Sequence, residues 1–199
     1  MRILLITNGI DAIFDYTINL ANALSKKNEV ILINLGDQSR AKDYKMIVNK
    51  KVKLLFLNFY KQTNPFNFFK LLKFHKILSK LNPDVVHSQV GYSWLIPSLY
   101  LSKKPKVLTV HDPILKKGRD QPIHFELTKN SSLHISNKII VHGVNLKKIL
   151  VEEFNRSPSN VNVIPHGNFA HYKKWRISKV VESSKSVLFF GKILKYKGI

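Results

Sequence analysis

An open α/β sheet, doubly wound and parallel, is the fold class the sequence predicts. Three observations predict it. Short apolar runs alternate with stretches of helical periodicity along most of the chain, the pattern of repeated strand–helix–strand units. The early runs are continuous rather than alternating, as in strands covered on both faces. The runs also end in polar or turn-forming residues: Asn8-Gly9, His87-Ser88, His111-Asp112-Pro113, His142-Gly143 and Pro165-His166-Gly167. Open α/β sheets bind their ligands outside the carboxyl ends of the strands.

The elements follow in order. Arg2–Thr7 is the first buried strand, with Asn8-Gly9 as its turn. Ile18, Ala21 and Leu24 at helical spacing predict a helix over Tyr16–Lys26. It stops at Lys26-Lys27-Asn28, where basic residues suit the C-terminal dipole. Glu29–Asn34 is the second strand, closing a βαβ unit with a right-handed crossover. Residues 35–50 are polar and carry no assignment. Val52–Phe59 is the third strand.

Asn67–Leu81 is the most distinctive helix. On a helical wheel Leu71, Phe74, Ile77, Leu78 and Leu81 share one arc, and Lys70, Lys73, Lys76 and Lys80 share the adjoining one. Phe69 falls inside the lysine arc and Leu72 beside it, so neither belongs to the core face. Strands follow at Asp84–Ser88, Lys106–Val110, Lys138–Val141 and Val161–Ile164. Helices are predicted over Tyr92–Leu101, kinked at Pro97, over Ile123–Leu133, and over Asn145–Phe154, whose apolar face is Leu146, Ile149, Leu150 and Phe154. Residues 1–170 therefore read as one domain and the polar stretch 171–185 as a linker. Residues 186–199 read as the start of a second domain, in which Val187–Phe190 runs into Gly191-Lys192 and Lys197-Gly198 opens a helix. A glycine at a strand end admits close backbone approach to a ligand, and lysine beside a helix N-terminus suits an anion.

The chain has 199 residues and an apolar fraction of 44%, enough for a sizeable core. The absence of cysteine excludes a disulfide framework, a thiolate metal site and a cysteine nucleophile, and an intracellular, cytoplasmic protein is the expectation. Residues 1–8 lack the length and cleavage pattern of a signal peptide. No window reaches the roughly 20 apolar residues that span a bilayer. A formal charge of +21, from 33 basic and 12 acidic residues, points to an anionic partner. Nucleic acid is not the expected one, because aromatic residues do not interleave with basic ones as a stacking platform needs.

The common nucleotide fingerprints and the hydrolase nucleophile elbow are absent, and no paired carboxylates stand out for acid–base work. The histidines at strand ends are the informative set: His87, His111, His142 and His166, with Gly9 after the first strand. Their spacing does not suggest a metal site, so none is expected.

Six segments in a fixed order then carry a resemblance: FDYTINLANAL, PDVVHSQ, VLTVHDP, NKIIVHGVNLKKIL, VIPHGNF and VLFFGKILKYKGI. The chain resembles the N-terminal half of a retaining GT-B glycosyltransferase of the family-4 type, cut just after the second domain begins. The resemblance implies a Rossmann-like acceptor-side domain and transfer of a sugar from a nucleotide-sugar during polysaccharide or glycolipid assembly, with no metal or further cofactor. His111 matches the family's histidine at the inter-domain cleft and is the catalytic candidate. Gly9, His87, Asp112 and His166 are cleft or acceptor candidates. Gly191, Lys192 and Lys197 match the grip on the donor diphosphate. Lys192 stands where the family usually has arginine, which keeps the charge but loses the bidentate fork. The family's glycine pair in the first loop is Asp11 and Ala12 here. The family's paired glutamates lie beyond Ile199, so the chain alone is expected to be weak or inactive.

The resemblance also implies a membrane role for the basic helix. Phe66, Phe68, Phe69, Lys70, Lys73, Lys76 and Lys80 are the membrane-contact candidates, combining apolar insertion with attraction to anionic lipid. The expected place is therefore the cytoplasm, with peripheral contact at the inner face of the cytoplasmic membrane. The alternative reading is a non-catalytic module, derived from a glycosyltransferase, that docks on a membrane or a partner protein.

Overall fold

Arg2–Thr7 (β1) occupies the middle of a seven-stranded sheet in the computed structural model. On one side it pairs with Glu29–Asn34 (β2), which pairs with Val52–Phe56 (β3). On the other side lie Val85–Ser88 (β4), Lys106–Thr109 (β5), Lys138–Val141 (β6) and Val161–Val163 (β7). The order is β3-β2-β1-β4-β5-β6-β7 and every neighbouring pair is parallel. The strand order reverses between β1 and β4, so the topological switch point lies beside the carboxyl ends of these two strands. The structure describes residues 1–8, 12–36, 44–61, 63–89, 91–114, 123–168 and 185. Val187–Phe190, the linker 171–184 and the rest of the expected second domain lie outside the described residues.

The helices are Ala12–Leu24 (α1), Asn67–Leu81 (α2), Ile96–Leu101 (α3), Ile123–Ile135 (α4) and Val144–Glu152 (α5). Alternate residues of a strand face opposite sides of a sheet, and β1 uses this fully. Ile3 and Leu5 pack with Phe14, Ile18 and Ala21 of α1, while Leu4 and Ile6 pack with Phe74 and Leu78 of α2. A third cluster joins Leu108, Ile139, Val141 and Val161 to Leu133 of α4 and Leu150 of α5. These clusters cover both faces of β1 and β2, which is why those strands read as unbroken apolar runs.

Most predicted boundaries hold to within one or two residues. Three differ for physical reasons. The first helix starts at Ala12 rather than Tyr16, and the Thr17 hydroxyl and Asn19 amide donate back to the Ile13 and Asp15 carbonyls inside it. Its end is as read: the Asn28 side chain donates to the Leu24 carbonyl at 3.1 Å. The third strand stops at Phe56 rather than Phe59, because Asn58 adopts a left-handed backbone, φ 47°. Pro97 does not kink a helix. A 3₁₀ turn at Ser93–Leu95 precedes α3, and Pro97 sits in the helix's first turn, where its missing N–H costs no bond.

α2 keeps the predicted bounds. Phe74 and Leu78 are buried, and Ile77 and Leu81 pack against the same cluster. Asn67, fully buried, accepts from the Tyr60 N–H at 2.9 Å and donates to the Lys61 carbonyl at 2.9 Å, anchoring the preceding turn. Asn82 ends the helix in the left-handed region, φ 42°, with its N–H on the Leu78 carbonyl.

Candidate active site

Because every strand is parallel, all the carboxyl ends lie along one edge. Adjacent strands run about 4.8 Å apart, so the residues that follow β5, β6 and β7 become neighbours although more than twenty residues separate them in sequence. His111 follows β5, His142 follows β6 and His166 follows β7. Their rings form one group: His111 to His142 is 5.1 Å between centroids and His142 to His166 is 4.9 Å. Tyr16 on α1 covers them, with centroid distances of 5.4 Å to His111, 5.2 Å to His142 and 4.9 Å to His166.

The His142 ring is fixed by its Nδ1–H, which donates to the Ile164 carbonyl at 2.9 Å and ties the end of β6 to the end of β7. In the neutral ring Nε2 is then the lone-pair nitrogen. That atom is buried and has no hydrogen-bond partner among the described residues. The Thr7 hydroxyl at the end of β1 is in the same position. His166 Nδ1–H donates to the Gly167 carbonyl at 2.8 Å.

A second row lies beneath. His87 Nε2 is 2.8 Å from the Thr109 hydroxyl and 3.1 Å from the Gln89 amide nitrogen. Gln89 Oε1 is 3.3 Å from His111 Nε2. Burial of His87, reinforced by the neighbouring His111, lowers its pKa to about 4, so the ring is neutral at physiological pH. Burial also raises the Tyr16 pKa and keeps it a phenol.

Such an edge presents imidazoles and a phenol, groups that exchange hydrogen bonds with hydroxyls without a fixed charge, and an aromatic face that favours an imidazolium beside it. Among the described residues no group of histidine, aspartate and glutamate has the arrangement to hold a metal ion.

Of the residues singled out from sequence, His111, His142 and His166 come together here. His87 lies under the edge, 7% exposed, and bonds to Thr109 instead of lining the surface. Asp112 is exposed beside His111. Gly9, Gly191, Lys192 and Lys197 lie outside the described residues. Tyr16, Gln89 and Thr109 were not singled out. Gln89 had a signal, since it is two residues from His87 and shares its side of the strand. Tyr16 had none, because only the crossover of α1 brings it over β5, β6 and β7.

The membrane-contact candidates form a separate surface. Phe66, Phe68 and Phe69 are 62%, 51% and 65% exposed. Lys73, Lys76 and Lys80 are exposed beside Leu72 and, with Phe69 and Ile77, line a shallow groove of about 430 Å³. Lys70 is half-buried, its ammonium 5.4 Å from the centre of the Tyr60 ring. Among the described residues no helix is long and apolar enough to cross a membrane.

The seven-stranded parallel sheet has the fold of the Rossmann-like N-terminal half of a GT-B protein. The model of Glycosyltransferase Family 4 matches residues 15–167, most of the chain, and the chain belongs to that family. Solved structures share its fold. A putative UDP-N-acetylglucosamine 2-epimerase from Listeria monocytogenes superposes with a TM-score of 0.66 at 13% identity, over 91% of this chain and 49% of that one. A glycosyltransferase from Rickettsia africae ESF-5 gives 0.60 at 20% identity, over 86% and 44%. Anabaena Alr3699/HepE in complex with UDP-glucose gives 0.60 at 12% identity, over 84% and 44%. The chain thus spans less than half the length of these structures. No curated protein sequence matches it.

Proposed function

We propose that the chain carries the acceptor-side half of an enzyme that transfers a sugar from a nucleotide-sugar to a glycan or lipid-linked acceptor in bacterial surface polysaccharide synthesis. The observation that supports this most is the convergence of His111, His142, His166 and Tyr16 at the carboxyl edge. A sugar offers hydroxyls, and this edge offers imidazole and phenol groups that donate and accept hydrogen bonds. His111 is the catalytic candidate. Gly191, Lys192 and Lys197 are the candidates for the donor diphosphate, where positive charge stabilises the leaving phosphate as the glycosidic bond breaks. The UDP-glucose bound to Alr3699/HepE supports a nucleotide-sugar as donor. The test is sugar transfer by the chain mixed with a family donor-binding domain, using UDP-sugars. His111→Ala is expected to lower turnover at least 100-fold, within the range for a group acting on the reacting atoms. Unchanged turnover would remove His111 from the chemistry. Full activity of the 199-residue chain alone would refute the half-enzyme reading.

A second reading has its own observation. The exposed Phe66, Phe68 and Phe69 beside exposed lysines suit docking on an anionic membrane, with or without catalysis. Co-sedimentation with vesicles containing anionic lipid is expected, weakened by Lys73→Glu, Lys76→Glu and Lys80→Glu together, since each basic residue contributes about 1 kcal/mol near such a surface. Binding that ignores anionic lipid content would sink it.

A further inference from the structure

We infer that Gln89 is a positioning residue for His111, holding its ring and fixing which nitrogen carries the proton. The inference rests on the reading of His111 as a cleft residue. It follows from counting hydrogens along a buried chain. His87 Nε2 meets the Gln89 amide nitrogen at 3.1 Å, and an amide nitrogen only donates. His87 Nε2 is therefore a lone-pair nitrogen, and the ring proton is on Nδ1. The Thr109 hydroxyl, 2.8 Å from the same nitrogen, is compatible with this tautomer as a second donor sharing the one lone pair.

With its NH₂ turned to His87, Gln89 presents Oε1 to His111 Nε2 at 3.3 Å. A carboxamide oxygen only accepts. His111 then carries its proton on Nε2, and Nδ1 is its basic nitrogen. Gln89 is 1% exposed, so water does not compete for either end. The arrangement needs His87 neutral, because a protonated Nε2 would face the amide's own N–H₂. Burial supplies that condition across physiological pH. His87 and Gln89 lie on one side of β4 and its extension, which is why the motif His87-Ser88-Gln89 can build the chain while Ser88 points away.

The test is long-range ¹H–¹⁵N spectroscopy of the imidazoles in the ¹⁵N-labelled chain from pH 4 to 8, assigned with His87→Gln and His111→Phe. The expected spectrum has neutral His87 protonated on Nδ1 and His111 protonated on Nε2, with that N–H slow to exchange. Gln89→Leu is expected to lose the protected N–H. Gln89→Glu, which keeps an acceptor oxygen for His111 and draws the His87 ring proton onto Nε2 to meet its other oxygen, is expected to restore it and raise the His111 pKa. His111 protonated on Nδ1 in the unsubstituted chain overturns the inference without any variant, and so does an Nε2–H indifferent to Gln89→Leu. In the transfer assay with the donor-binding domain, Gln89→Leu is expected to lower kcat about 10-fold at unchanged donor KM, with partial recovery in Gln89→Glu. If His111→Ala leaves transfer intact, the functional reading fails, and the spectra still decide the positioning.

Discussion

The carboxyl edge of the sheet and the outer face of α2 both gather basic side chains, and they treat them in opposite ways. At the edge, imidazoles are packed ring to ring under Tyr16 and tied to Gln89, Thr109 and the Ile164 carbonyl. On α2, Lys73, Lys76 and Lys80 stand in solvent. The net charge of +21 counts the lysines and ignores the histidines, so it points to the second surface and misses the first. A site is marked by polar groups that the fold brings into contact and removes from water. Charge at a solvated face marks at most a preference for an anionic surface.

The largest effect should come from crossing α2 from one face to the other. Phe74 is fully buried between the helix and β1 and β4. Phe74→Ala is expected to cost about 3–5 kcal/mol in urea unfolding, the transfer term plus the cavity. A loss under 1 kcal/mol would mean that the helix is not held by this face.

The next effect separates the two surfaces by pH. The unfolded His87 titrates near its ordinary value of 6.5 and the folded one near 4, lowered first by burial and then by His111. Between those values the unfolded chain binds a proton that the folded chain does not. Stability is therefore complete above about pH 7 and falls as the pH drops to 4, by about 3 kcal/mol. His87→Gln should flatten that part of the slope, whereas Lys73→Ala and Lys76→Ala should leave it unchanged. Equal slopes for the parent chain and His87→Gln would place the pH sensitivity elsewhere.

The same contrast explains what was legible in the sequence. The bounds of α2 and its two faces were readable because one helix carries its own period, and Phe74, Leu78, Phe69 and Leu72 all fall where that period puts them. The seven strands and their parallel direction were readable because the βαβ pattern repeats, whereas their order in the sheet came only from the structure. The edge was half readable. Four histidines at strand ends were visible, but His87 and His111 differ in depth, and depth depends on the neighbouring strand and helix. Tyr16 and Thr109 join the site through contacts between distant segments, which no local period encodes. Asn58 and Pro97 shifted boundaries because a single residue's backbone preference overrode the apolar pattern around it.

A smaller effect tests the end of α2, where the two faces share one stop. Asn82 holds φ at 42°, and a Cβ-branched or alanine residue there is strained. Asn82→Ala is expected to lose about 1 kcal/mol, because alanine must enter the left-handed region without an amide that tolerates it. Asn82→Gly should stay within about 0.5 kcal/mol of the parent, since glycine enters the same region freely but is looser when unfolded. If the two variants lose equally, the left-handed cap is not what ends the helix.

The smallest effect on stability is expected at the outer face itself, and it sharpens the comparison most. Phe69 is 65% exposed and Lys73 beside it in the groove is solvated, so neither removes much surface from water on folding. Phe69→Ser and Lys73→Ala are each expected to change unfolding free energy by less than about 0.5 kcal/mol. A ring this exposed adds little to the core, and a cluster of such rings suits contact with something outside the domain. Vesicle binding separates the two roles. Phe69→Ser should weaken co-sedimentation with anionic vesicles while leaving the urea midpoint unchanged. A shift in the midpoint without a change in vesicle binding would return Phe69 to the core and make the outer face of α2 a solvated surface only.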